Sequence, residues 1–533
     1  MRIKKLLTSI LVLAVVLLGV FSKNITKAEE IKEEKIFSNA TIEDDFVDNT
    51  IIVILTNEES LKFKKYDVDD FPNIDCVDIV DMTEDTTNKI IEQQKSDYRN
   101  INNEDIIIDV KNFNKILKLE LGNSNKTKVI SSIKILEEYD WILSAQPDFL
   151  IKQENKDVLT KNVNNRSISN DWAYDLMQIE EAWGISRGSS SVKIGVIDTG
   201  IYGNHPALVG RIDTSLSYDF TGNNNPLVDT DGHGTEMAGI MVANEITNGQ
   251  MRGITENVKA VSLKVNNDRN YLTAISRIAS AILYANVNNI KIINMSFAFD
   301  SINNSQEDLM PIEEALEQYG GLAVCAAGNQ GRKYEFYPIY PAAYPFNNII
   351  AVGASNEQEV PTATSNYCPT RVDIFSPCVL MLSTTNDGEY GESGETSLAA
   401  AMVSAVAALV LSKCPSLSTL QLRNLILNNV DVKSGLHNKC STGGRINAYK
   451  TLSAMTTYIR YSETQHTERC ACGSTTLASH VVRQSEISNG YAKCIYCKYN
   501  VNLGNAFVEV IPSSIGNPNN RYILPNGIII LLE

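Results

Sequence analysis

The chain has 533 residues, 43% of them hydrophobic, and a formal net charge of −16. At ~150 residues per domain it is too long for one ordinary domain, and its acidic balance argues against nucleic acid or an anionic membrane surface as a partner. Ten cysteines in a chain of this length do not make a disulfide scaffold.

Arg2, Lys4 and Lys5 precede an almost unbroken apolar run over residues 6–21, and Thr26-Lys27-Ala28 offers a cleavage site. This pattern predicts a signal peptide over residues 1–28 and a secreted product. The run is short against the ~20 apolar residues of a membrane span, so no stable membrane anchor is expected. Residues 46–152 follow, with strand patterns at 50–56 and 116–121, helical patterns at 87–99 and 126–139, and a last strand at 142–151. They predict a small α+β domain. Residues 153–170 are polar and rich in Asn, Lys and Ser, a linker composition where proteolysis concentrates.

Residues 171–456 alternate apolar strands with helical patterns, which predicts an α/β fold, a mostly parallel sheet with helices on both faces. The strands are expected at 192–197, 260–264, 290–293, 321–326 and 349–352, and the helices at 233–244, 272–288, 312–319, 397–411 and 419–429. Residues 457–533 form a short Cys- and Gly-containing tail.

Asp198 and Asn294 end strands and Asn329 follows another, so three strands aim polar groups at the carboxyl rim where open α/β sheets build their sites. His233 and Ser397 each head a predicted helix, where free N–H groups favour developing negative charge. Taken singly, each reads equally as a turn or capping residue. Together, in the order Asp, His, Asn, Ser, they are the parts needed for nucleophilic acyl transfer.

The motifs Val192-Lys193-Ile194-Gly195-Val196-Ile197-Asp198-Thr199-Gly200, Asp231-Gly232-His233-Gly234-Thr235, Asn294-Met295-Ser296, Ala326-Ala327-Gly328-Asn329 and Thr396-Ser397-Leu398-Ala399 resemble the subtilisin-like serine proteases, the subtilases. The resemblance implies a secreted serine endopeptidase acting on polypeptides. Ser397 would be the nucleophile, His233 the base, Asp198 its orienter and Asn329 an oxyanion donor, and catalysis would need no cofactor. It also implies that Ser296, Phe297 and Ala298 line the substrate cleft. Phe297 and Phe299 stand where relatives carry small residues; they narrow the pocket for the residue preceding the cleaved bond, or they pack in the core. Residues 46–152 resemble the inhibitory propeptide of these zymogens, with the strand 142–151 leading into the cleft and maturation within 153–170.

The chain departs from the pattern at several places. Glu395 replaces a glycine two residues before Ser397, at a position that suits glycine's backbone freedom, and brings a negative charge near the oxyanion. It supports an alternative reading, an impaired pseudoprotease acting as a binding or regulatory protein. Ala401 and Met402 replace a proline and a histidine in the nucleophile's helix. Ala207 stands where calcium-binding relatives often carry Asp, which weakens a calcium site. In the tail, Cys470, Cys472, Cys494 and Cys497, with His466 and His480, have spacing suited to zinc, and two disulfides are the alternative.

Overall fold

A computed structural model describes residues 35–89, 113–122, 125–152, 169–245, 251–266, 272–301 and 305–455, and the backbone alone of residues 456–460 and of short strands between 465 and 531. The expected signal segment, most of the 153–170 linker and most of the helical candidate at 87–99 lie outside these residues. So do Cys472, Cys494 and Cys497; Cys470 ends a strand described by its backbone only.

The N-terminal unit contributes β1 (Phe46–Leu55), β2 (Cys76–Asp81), β3 (Ile116–Leu121), α1 (Lys126–Leu136) and β4 (Ile142–Lys152). Asn125 caps α1, its side chain accepting from the Lys128 N–H at 3.0 Å. Every residue from Ile51 to Leu55 is buried. Such a run, rather than an alternation, means both faces of β1 are covered.

The larger unit is built on a nine-stranded sheet. Its strands are β5 (Lys193–Asp198), β6 (Tyr218–Asp219), β7 (Lys259–Lys264), β9 (Ile292–Met295), β11 (Leu322–Ala326), β13 (Ile349–Ser355), β14 (Ile374–Pro377), β17 (Asp431–Val432) and β18 (Gly444–Arg445). The order is β17-β18-β14-β13-β11-β9-β5-β7-β6, and every pair but β17/β18 is parallel. Central strands buried on both faces read as continuous apolar runs, which is why β5, β7, β9, β11 and β13 fall where the sequence predicts strands. Shorter pieces were not foreseen: β8 (Leu272–Ala274), β10 (Phe299–Asp300), β12 (Ile339–Tyr340) and the hairpin of β15 (Met381–Thr384) with β16 (Tyr390–Ser393).

Five helices matter for the site: α2 (His233–Val242), α3 (Ile275–Val287), α4 (Met310–Glu317), α5 (Glu395–Lys413) and α6 (Thr419–Asn428). α2 and α5 share one apolar core with one face of the sheet. On the other face, one continuous core joins α3 and α4 to the N-terminal sheet, so that Ile51, Leu119 and Val129 belong to the same cluster as Ile278, Ile282 and Ile312. α5 is long and apolar enough to cross a membrane by composition, yet Leu398 to Leu411 are all buried inside the fold, which makes it a core helix.

The N-terminal unit is joined to the larger one by a strand. β4 pairs antiparallel with β8 through Leu150↔Ala274, Ile151↔Thr273 and Lys152↔Leu272, extending the sheet to β2-β3-β1-β4-β8.

Candidate active site

Asp198 closes β5 and its side chain is fully enclosed. Both carboxylate oxygens face His233 Nδ1, at 2.8 and 3.0 Å, and the Thr199 N–H donates to Oδ1 at 2.8 Å. An ionised carboxylate only accepts, so Nδ1 carries the proton and Nε2 is the basic nitrogen. His233 opens α2 after Gly232, whose φ of +109° is the left-handed turn glycine permits. Gly234 lies so close to the Gly200 carbonyl that any side chain would collide with it. The Gly234 N–H donates to Thr199 Oγ1 at 3.0 Å, tying the end of β5 to the start of α2.

Asp229 escaped the sequence reading. It is buried, and its carboxylate accepts from the N–H groups of Asp231, Gly232 and Thr235 and from Thr235 Oγ1, at 2.6 to 3.1 Å. It thus holds the turn that aims His233. An Asp shortly before a helix start is a legible capping signal, though not one that singles out a site.

Ser397 lies in the first turn of α5, which begins at Glu395 rather than at Ser397 as expected. Ser397 Oγ donates to the Ser296 carbonyl at 3.1 Å, and Ser296 Oγ donates to the Ser397 carbonyl at 2.8 Å. Behind them Asn294 Nδ2 donates to Ser296 Oγ at 2.8 Å, and Ser404 Oγ to Asn294 Oδ1 at 3.0 Å. Asn294 therefore supports the nucleophile's segment from inside the core and does not reach toward the rim.

Asn329 follows β11. Its Oδ1 accepts from the Thr396 N–H at 3.2 Å and from Thr396 Oγ1 at 2.6 Å. A backbone N–H demands an acceptor, which fixes the amide's orientation and presents Nδ2 as the donor. Gly394, the residue before α5, gives no side-chain cap; of the first N–H groups of α5, that of Thr396 is taken by Asn329 Oδ1, and a helix start favours an anion through those that remain.

Glu395 has φ of +66°, the left-handed region. It is half-buried. A non-glycine residue there is strained by about 1 kcal/mol or more, and its charge stands two residues from the nucleophile. Glu395→Gly is expected to raise kcat/KM several-fold, up to about tenfold, the equivalent of 1.36 kcal/mol of barrier. Progress curves on a peptide substrate check this; an unchanged rate would leave Glu395 without influence on the reaction.

Ser296, Phe297 and Ala298 follow β9 and are all buried. The Phe297 and Phe299 rings stand 5.3 Å apart within the core shared with α3 and α4. Both rings pack in the core. Ala207 sits in a short turn where its N–H donates to His205 Nδ1 and its carbonyl accepts from the Asn244 N–H. It has no side-chain oxygen to offer a calcium ion. Among the described residues no cluster of His, Cys, Asp and Glu has a metal-holding arrangement.

A buried carboxylate gripping an imidazole, a hydroxyl at a helix start without a side-chain cap and an amide presenting its donor end are the parts an acyl-transfer site uses. The sequence pattern of the subtilase family matches residues 189–450. The thermophilic serine proteinase of Bacillus sp. (strain AK1) is 34% identical over 272 residues, which cover 51% of this chain and 64% of that protein. Thermitase of Thermoactinomyces vulgaris is 31% identical over 278 residues, covering 52% and 93%. Among solved structures, the epidermin leader peptide processing serine protease of Staphylococcus aureus shares the fold at 18% identity and a TM-score of 0.51, over 76% of this chain and 98% of that one. The chain belongs to the subtilase family of serine-type endopeptidases.

Proposed function

We propose that this is a secreted endopeptidase made as a zymogen, in which Asp198, His233 and Ser397 hydrolyse peptide bonds and Asn329 holds the oxyanion. The observation that carries the reading is the two-oxygen grip of Asp198 on His233 Nδ1, with Asn329 bonded to Thr396, the neighbour of Ser397, and Ser397 bonded to Ser296. In the reaction the Ser397 hydroxyl gives its proton to His233 Nε2 as Oγ bonds to the scissile carbonyl carbon. The oxyanion takes N–H donors from Asn329 Nδ2 and the α5 start, and His233 then protonates the leaving amine. Water repeats the cycle on the acyl-enzyme, aided by the same base.

The test is expression without residues 1–28, beside Ser397→Ala. Cleavage within 153–170 in the parent and none in the variant, with fluorophosphonate labelling of the parent alone, is the expected result. An uncleaved and unlabelled parent would favour the pseudoprotease reading, which the left-handed Glu395 motivates.

Residues 46–152 act in this reading as the inhibitory propeptide, and their contacts support it. Asp148, on β4, accepts from the Ser276 N–H at 3.0 Å and from Ser276 Oγ at 2.6 Å. It thereby caps α3, whose own N-cap residue, Ala274, offers no side chain for the purpose. Gln146 Nε2 donates to the Asp308 carbonyl at 2.8 Å. Burial raises the Asp148 pKa, opposed by the Ser276 bonds and by Lys118 and Arg277. A carboxyl raised on docking stabilises the docked state below its free value of ~3.9, and that contribution is lost as pH rises through the docked value. After cleavage, the N-terminal fragment is therefore expected to be held more tightly at acid pH and to leave faster as pH rises through the docked value of Asp148. Asp148→Asn should flatten that dependence in a gel-filtration release assay, and an unaltered profile would assign the pH response elsewhere.

A further inference from the structure

Thr396, on α5, orients the Asn329 amide. The backbone that carries Asn329 has a separate support in residues 364–367, part of the connection between β13 and β14. It needs one. β11 ends at Ala326, and the last bond to the neighbouring strand is from the Ala327 N–H to the Val352 carbonyl, at 2.9 Å. Beyond it the sheet no longer fixes the chain.

Asn366 takes over there. It has no exposed surface. Its Oδ1 accepts from the N–H groups of Gln330 and Arg332, both at 3.2 Å. Its Nδ2 donates to the Ala327 carbonyl at 2.9 Å and to Gln330 Oε1. A side-chain amide has two acceptor and two donor positions, and here all of them serve residues 327–332. The Asn366 N–H adds a bond to the Gly328 carbonyl at 3.0 Å. Bonds from this one residue therefore hold the chain on both sides of Asn329. The Gly331 N–H donates to the Thr364 carbonyl at 2.5 Å, and the Tyr367 N–H to the Arg332 carbonyl at 3.1 Å, which lengthens the support.

The fit is close as well as polar. Gly328 has φ of +88°, a conformation open to glycine. A side-chain carbon there would stand 2.7 Å from Asn366 Nδ2, so the turn is seated directly on the amide.

We propose that Asn366 is a positioning residue for the oxyanion: it sets the backbone of Asn329, so that Asn329 Nδ2 is aimed before substrate arrives. This rests on the protease reading above. Misplacing a reacting or stabilising group by about 1 Å costs about a hundredfold in rate. A preorganised donor acts where charge develops, so the loss falls on kcat and spares KM.

The experiment compares the parent, Asn366→Ala, Asn329→Ala and the double variant as full-length precursors. Each is processed by affinity-tagged parent enzyme that is then removed, and kcat is taken per fluorophosphonate-titrated site. Asn366→Ala is expected to lower kcat by about ten- to a hundredfold with KM within about twofold. In the Asn329→Ala background it is expected to cost less than about twofold more, because the donor it aims is already gone. Asn366→Asp keeps an oxygen for the two N–H groups and stands in if the alanine variant does not fold, with the same dependence on Asn329 expected. An unchanged kcat overturns the assignment, and so does a rise in KM alone. A loss as large without Asn329 as with it also overturns it, and leaves Asn366 as a support of the fold. A parent that neither labels nor cleaves overturns the protease reading instead, so the two failures are distinguishable.

Discussion

Asp198→Asn is expected to lower kcat by about four orders of magnitude at neutral pH while the protein stays folded, a loss of the size found when this orienting carboxylate is replaced in other serine proteases. The side chain is fully enclosed, and Asn has the same shape. Its oxygen keeps the Thr199 N–H, which Asp198 Oδ1 serves at 2.8 Å. The new amide nitrogen therefore faces His233 Nδ1. Two donors cannot face each other, so the ring moves its proton to Nε2. In the proposed reaction that nitrogen accepts the Ser397 proton, and it no longer can. The imidazolium also loses its counter-charge. Rates on a peptide substrate, with active sites titrated and the precursor processed by added parent enzyme, check the result. A loss below tenfold would remove Asp198 from the reaction, and unchanged thermal unfolding would exclude a trivial collapse.

The same position shows why part of the site was legible and part was not. Asp198 is readable because β5 is buried on both faces, so its apolar run ends abruptly in a charged residue at the rim. The helix of Ser397 was placed two residues late. Its first residue, Glu395, has a left-handed φ that no periodicity signals, and its apolar surface runs all the way round because it is buried on every side. Phe297 could not be assigned from sequence, since an apolar residue just past a strand reads equally as pocket wall or core. Its placement depends on Phe299 and on helices far along the chain. β12 was invisible for a related reason. A two-residue strand exists only through its partner β10, and no local pattern announces it. Asp229 works through backbone N–H groups that every residue possesses, so its role emerges only with the turn it holds.

Asn329→Ala is expected to reduce kcat by about a hundred- to a thousandfold with little change in KM, the equivalent of about 3–4 kcal/mol, a magnitude measured for this kind of donor in a relative. The reason lies in when the bond matters. Asn329 Oδ1 is committed to the Thr396 N–H and hydroxyl, so Nδ2 is held in one direction before substrate arrives and need not reorganise. The neutral carbonyl of bound substrate gains little from it. The tetrahedral oxyanion, with a full charge, gains much more, and interactions stronger in the transition state raise kcat. Alanine also strips the acceptor from two donors at Thr396, which costs about 1–3 kcal/mol of stability for a buried group. Rate and folding are separable, because fluorophosphonate titration counts correctly formed sites and kcat is taken per titrated site. Thr396→Val offers a finer cut: it keeps the backbone N–H that holds Oδ1 but removes the 2.6 Å hydroxyl bond. The amide then has one tether in place of two, and an intermediate loss in kcat, about tenfold, is expected. Were Asn329→Ala to raise KM and spare kcat, the amide would be binding ground-state substrate, and the oxyanion would have to be held by the α5 N–H groups alone.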